Sequence, residues 1–167
     1  MDLLLVRHAI AAERDAEHWP DDGERPLTPR GVARFARAAR GLSRIAPPVE
    51  LVLASPMARA WHTAELLERE AGWPAPRPCE PLEAGRPPSD ALAALQSEGG
   101  RSSVAAVGHE PGLSLLASLL LTGDPYAARL ELKKGAAALL AFPREPAAGE
   151  ALLVWSVAPK TLRSLAR

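Results

Sequence analysis

The chain is 167 residues long, with 47% hydrophobic and 24% charged residues and a formal net charge of zero. That composition suits a globular protein with one core and lacks the basic excess that broad binding to nucleic acid or an anionic membrane requires. The single cysteine, Cys79, excludes an internal disulfide and a zinc site built from thiolates.

Residues 3–6 are uninterrupted Leu-Leu-Leu-Val and suit a buried parallel strand ending at Arg7-His8. So short an apolar run is neither a signal-peptide core nor a membrane span, so a cytoplasmic protein is expected. Residues 11–25, with Pro20 and Gly23, read as a polar loop. Thr28-Pro29 is an N-cap followed by proline at the first helical position. The helix it opens carries Val32, Phe35, Ala36, Ala39 and Leu42 at helical spacing, with Arg34, Arg37, Arg40 and Arg44 read as solvated charges.

Residues 51–54 form a second strand. Ser55-Pro56 repeats the cap-plus-proline pattern, predicting a helix to about Ala71. The proline-rich residues 74–88 read mostly as loop, with a short strand near 77–80, and Ser89 is placed as the cap of a helix reaching about Ser97. A third strand at 104–107 runs into Gly108-His109, and Pro111 starts a helix that stops near Gly123. Residues 136–142 and 152–157 are two further strands, and Pro159 opens a terminal helix. Strands alternating with helices predict one α/β domain over residues 1–167, with a mainly parallel sheet covered on both faces.

Three of these strands end in chemistry-bearing residues: Arg7-His8, Ser55-Pro56 with Arg59 one turn on, and Gly108-His109. Ligands of parallel sheets bind at the carboxyl ends of strands, so the three segments are expected in one crevice. Arginine forks near a helix start make a phosphate receptor. A neutral imidazole beside them can attack phosphorus and form a phosphohistidine that water then hydrolyses. The guanidinium groups keep that imidazole unprotonated and stabilise the equatorial oxygens during transfer. No cofactor and no metal enter this scheme.

The matching segments extend over nearly the whole chain: Leu4-Leu5-Val6-Arg7-His8-Ala9, Arg25-Pro26-Leu27-Thr28-Pro29-Arg30-Gly31, Ser55-Pro56-Met57-Ala58-Arg59-Ala60-Trp61-His62-Thr63-Ala64-Glu65, and Val107-Gly108-His109-Glu110-Pro111. In these the chain resembles the histidine phosphatase superfamily, and within it the SixA-type phosphohistidine phosphatases. The resemblance implies a phosphoglycerate mutase-like, three-layer α/β/α sandwich with a mixed, mostly parallel sheet. It implies His8 as nucleophile, with Arg7, Arg59 and His109 completing the phosphate pocket. Arg25 is a further phosphate-binding candidate, with ordering of its own turn as the alternative. Ala9 stands where the family motif often has glycine, which is tolerated if the backbone there keeps a negative φ. His62 and His18 read as surface histidines.

Many members of the superfamily supply a carboxylate that protonates the leaving group. Glu83 is the first candidate for it here, ahead of Glu80, while Glu110 is read as orienting a loop or capping the following helix. A weak acid suits a phosphoramidate, because an imidazole leaves more easily than an alkoxide. The resemblance thus implies a phosphohistidine-bearing protein as partner, with a small phosphorylated substrate, hydrolysed or isomerised, as the alternative. A metal-dependent hydrolase finds no standard histidine ligand spacing, and a silent phosphoprotein-binding module would not need the nucleophile.

Overall fold

The computed structural model describes residues 1–166. In chain order they form β1 (Asp2–Arg7), α1 (Pro29–Leu42), β2 (Leu51–Ala54), α2 (Ala58–Ala71), β3 (Pro76–Pro78), α3 (Pro88–Ser97), β4 (Ser103–Gly108), α4 (Gly112–Thr122), β5 (Ala137–Ala141), β6 (Leu152–Val157) and α5 (Pro159–Leu165). The strands make one sheet in the order β3-β2-β4-β1-β5-β6. β3, β2, β4 and β1 run parallel, whereas β5 is antiparallel to β1 and β6 to β5. The sheet is therefore mixed and mostly parallel, as expected.

Alternation along β1 splits the core in two. Leu4 and Val6 pack with Phe35, Ala38 and Leu42 of α1, Leu66 and Leu67 of α2 and Leu162 of α5. Leu3 and Leu5 face the other way, onto Leu95 of α3 and Leu113, Leu116 and Leu120 of α4. All four β1 side chains are fully buried, and burying each stabilises the fold by about 1.5–3 kcal/mol. Helices on both faces make the α/β/α sandwich. Two glycines of α1 let it sit close: a Cβ on Gly31 would stand 2.0 Å from the Ile10 carbonyl oxygen, and one on Gly41 would stand 1.8 Å from that of Leu162.

Thr28 caps α1 as read, its Oγ1 accepting from the Gly31 N–H at 2.9 Å. Ser55 does not cap α2. The Ser55 N–H still bonds to the Val107 carbonyl at 3.0 Å, so the chain leaves the sheet later than the motif suggests. The helix begins at Ala58 after Met57, which gives no side-chain cap. Ser89 is likewise inside α3, because Pro88, with its preset φ, takes the first helical position. The short strand ends at Pro78 because Glu80–Leu82 turn into a 3-10 helix. Among the described residues no helix is long and apolar enough to cross a membrane.

Candidate active site

Strand register brings the histidines together. Arg7 pairs with Gly108 across β1 and β4, and Ala54 pairs with Val107 across β2 and β4. The residues that follow, His8, His109 and Ser55, therefore emerge side by side at the carboxyl edge. The His8 N–H donates to the Gly108 carbonyl at 3.0 Å, and the two imidazole centroids lie 5.2 Å apart. Both rings are buried, as is Arg59 on the first turn of α2.

Hydrogen bonding assigns the ring protons. A carbonyl only accepts, so the 2.7 Å contact between His8 Nδ1 and the Ala9 oxygen places a proton on Nδ1. His8 Nε2 is then a bare lone pair. His109 Nε2 lies 2.8 Å from Ser55 Oγ, which already accepts from the Met57 N–H at 3.3 Å. Ser55 is fully buried. Among the described residues its hydroxyl proton has no acceptor other than His109 Nε2, and this assigns the proton of His109 to Nδ1.

Burial keeps both rings neutral. It is the largest cause that lowers His8 to about 4, with Arg59 and Arg7 adding to it against the opposing bond to Ala9. It likewise lowers His109 to about 3, helped by the neighbouring His8 and Arg59.

The arginines are held from behind. Arg7 Nη1 donates to the Leu132 carbonyl at 2.6 Å. Arg59 Nη1 donates to the Asp22 carbonyl at 2.7 Å, and its Nη2 to the Asp22 carboxylate at 3.0 Å. The same carboxylate accepts from Arg25 Nε at 2.9 Å. Asp22 is half-buried; burial raises its pKa, but the bond from Arg25 and the charges of Arg59 and Arg25 outweigh it and hold the carboxyl below its usual range. Three buried nitrogens have no partner among the described residues: Arg7 Nε, Arg59 Nε and His109 Nδ1. Each belongs to one of the three converging segments. Unsatisfied buried donors are rare, and an oxyanion is the ligand that three such donors suit.

The remaining candidates are placed as follows. Arg25 is buried, bonded to Asp22 and to the Ala12 carbonyl at 2.7 Å, so it orders the loop and meets Arg59 through a shared carboxylate. Glu83 lines one crevice with His109 and another with Met57, and its carboxylate pairs with Arg86 at 3.3 Å. Glu80 lines a different crevice with Arg77 and Glu98, away from these residues. Glu110 accepts from the Leu132 N–H at 3.0 Å and the Ser114 N–H at 3.3 Å, so it does both things read for it, holding a loop and capping the start of α4. His18 is exposed and bonded to Asp15. Ala9 has no positive φ, and its N–H donates to Thr63 Oγ1, whose hydroxyl donates to the Arg59 carbonyl. Among the described residues no group of three His, Cys, Asp or Glu side chains is placed to hold a metal.

Sequence reading missed three of these parts. In the sequence Ser55 reads as a cap, Asp22 lies in a polar loop, and Thr63 is one residue among many in a matching segment. The Asp22-to-Arg25 spacing, two residues between acid and base, is the one signal that points to the carboxylate clamp.

Residues 3–84 match the sequence profile of the histidine phosphatase superfamily, branch 1. An uncharacterized protein of Picosynechococcus sp. is 33% identical over 80% of this chain and 81% of its own length. A solved structure of the protein histidine phosphatase SixA complexed with tungstate superposes with a TM-score of 0.83, at 25% identity, over 97% of this chain and 99% of that one. A phosphoserine phosphatase from Entamoeba histolytica shares the fold, with a TM-score of 0.66 at 15% identity over 95% of this chain and 98% of that one. Motif residues, strand order and these similarities agree, and the chain belongs to the histidine phosphatase superfamily of hydrolytic phosphatases.

Proposed function

We propose that this protein is a metal-independent phosphatase that hydrolyses phosphohistidine on proteins through a covalent phosphohistidine on His8. It acts as one domain over residues 1–167, in the cytoplasm, without a cofactor. The observation that carries this reading is the bare Nε2 of His8, on a ring 5.2 Å from that of His109 and in the field of Arg7 and Arg59, together with three donors that have no partner among the described residues, Arg7 Nε, Arg59 Nε and His109 Nδ1. The SixA relative binds tungstate, a tetrahedral oxyanion of the shape such donors receive.

The substrate phosphoryl group lies with its oxygens on these donors. His8 Nε2 attacks phosphorus in line, and the bond from phosphorus to the substrate nitrogen breaks. The departing imidazole keeps the pair from that bond and leaves neutral once its other nitrogen carries a proton. Water then attacks phosphorus on His8, releasing phosphate and returning Nε2 to its free form. The donors are worth most where negative charge builds, in a buried site with little water to screen them. Positive charge from Arg7 and Arg59 beside His8 opposes a bound cation, which favours chemistry without a metal.

The substrate class rests on the weak acid. Glu83 reaches the crevice with His109 but is paired with Arg86, so a strong proton donor for an alkoxide is lacking at that position. An imidazole leaving group needs less help. The shared fold with a phosphoserine phosphatase favours the second reading, a small phosphate ester, with Glu83 released from Arg86 to act as acid. Comparing kcat/KM on a phosphohistidine peptide, a phosphoserine peptide and sugar phosphates decides between them. The phosphohistidine peptide is expected to be the fastest; a small ester turned over orders of magnitude faster would transfer the assignment to the second reading.

A further inference from the structure

Arg34 does not lie on a freely solvated helix face. It lines a small, open crevice of about 20 Å³ together with Ala9, Ile10, Phe35, Lys134 and Arg163. Ala9 is the residue after the nucleophile, so this crevice adjoins the active site. It brings together cations from three separate places: α1, the loop before β5, and α5.

Among the described residues no carboxylate lines the crevice. Among the described residues, Arg34, Lys134 and Arg163 make no ion pair, although the chain has as many acids as bases. Arg37 stands next to the group and donates from Nε to the Arg163 carbonyl at 3.0 Å. Burial first, and then repulsion from Arg34 and Arg37, pull the Arg163 pKa down, so the guanidinium groups do oppose one another. Like charges held together without a counter-charge destabilise a fold. An anion placed there would relieve this repulsion, and Lys134 is close enough to His8 for its charge to act on that ring.

We propose that Arg34, Lys134 and Arg163 form a docking subsite beside His8 for an acidic side chain on the phosphohistidine-bearing protein. The inference rests on the phosphohistidine reading given above. An aspartate or glutamate near the phosphorylated histidine lies across the mouth of the crevice, within reach of these three cations, while the phosphoryl group occupies the pocket. Two anions on one partner then meet two adjoining cationic sites. Such complementarity raises the encounter rate and selects the partner more than it changes the chemical step.

The test compares the wild type with an Arg34→Gln/Arg163→Gln variant on three substrates: a phosphohistidine peptide with acidic flanks, the same peptide with neutral flanks, and phosphoramidate itself. The wild type is expected to favour the acidic peptide by about tenfold in kcat/KM, with the preference fading as salt is raised. The variant should lose that preference, keep its rate on phosphoramidate and melt no lower than the wild type. Arg34→Glu/Arg163→Glu should reverse the preference toward basic flanks, which a merely damaged fold would not do. Equal rates on both peptides in the wild type, or a preference that survives in the variants, overturn the subsite while leaving the phosphohistidine assignment standing. If neither peptide is hydrolysed and a small phosphate ester is, both fall together.

Discussion

Ser55 Oγ and His109 Nε2 share one buried hydrogen bond, 2.8 Å long, and it decides which nitrogen of His109 carries the proton. The serine is fully buried at the end of β2 and offers its hydroxyl proton to the imidazole. That leaves Nδ1–H, a buried donor without a partner among the described residues, for the phosphoryl group of the proposed reaction. In Ser55→Ala the two tautomers of His109 become closer in energy. We expect kcat to fall by about tenfold, less than full removal of an oxyanion donor costs, with nitrogen NMR of the imidazole showing a mixed tautomer. An unchanged tautomer with unchanged kcat would contradict the assignment.

Asp22 ties Arg59 to Arg25 through one carboxylate, and the carboxylate also adds negative charge next to the proposed phosphate site. Asp22→Asn removes the charge and loosens the clamp. The two consequences separate in kinetics: kcat should drop by about tenfold while inorganic phosphate inhibits more tightly. A weaker phosphate inhibition in the variant would mean that holding Arg59 in place outweighs the charge.

Glu110 acts on Arg7 at one remove. Its carboxylate accepts from the Leu132 N–H, and the Leu132 carbonyl receives Arg7 Nη1. Glu110→Ala loosens the backbone of Leu132, whose carbonyl lies in the next peptide unit, and we expect KM to rise several-fold with a loss of about 1–2 kcal/mol in stability. Glu110→Gln keeps an accepting oxygen and should recover most of the KM. A glutamine variant as impaired as the alanine variant would assign the effect to charge rather than to positioning.

Stability should depend on pH through the two buried histidines. Both have folded pKa values below the ordinary 6.5, at about 4 for His8 and about 3 for His109. The unfolded chain therefore binds more protons between those values, so stability is complete above pH 6.5 and declines as the pH falls toward 4. The slope is about 1.4 kcal/mol per pH unit for each histidine that contributes. Urea unfolding at pH 7 and pH 4.5 measures it, and His8→Asn should flatten the dependence. Hydrolysis should keep its acid limb near pH 4, well below that of an ordinary histidine; an acid limb at 6.5 would show that His8 is not desolvated in this way.

The convergence of the candidate residues was legible where chemistry coincides with a strand end. Arg7-His8 and Gly108-His109 follow uninterrupted apolar runs, and parallel pairing of those runs is enough to set the two histidines side by side. The antiparallel β5 and β6 were legible as strands, but their direction depends on pairing partners that no local pattern encodes. Ser55-Pro56 misled because a cap motif is local, while the sheet bond from Ser55 to Val107 is not. Asp22 was invisible for the same reason: a loop acid gains meaning only when α2 brings Arg59 to it. Arg34 read as solvent-facing because helical spacing reports the apolar face of α1 and says nothing of α5 and Lys134 arriving on its flank.

The most direct measurement is trapping of the phosphoenzyme. A phosphohistidine protein labelled on phosphorus is mixed with wild type and quenched within the first turnover. The label is expected on His8 by mass spectrometry, stable in alkali and lost in acid, and absent from His8→Ala, which should still bind phosphate through Arg7, Arg59 and His109. A His8→Ala enzyme that retains full turnover, or a label found on any other residue, would contradict the central claim.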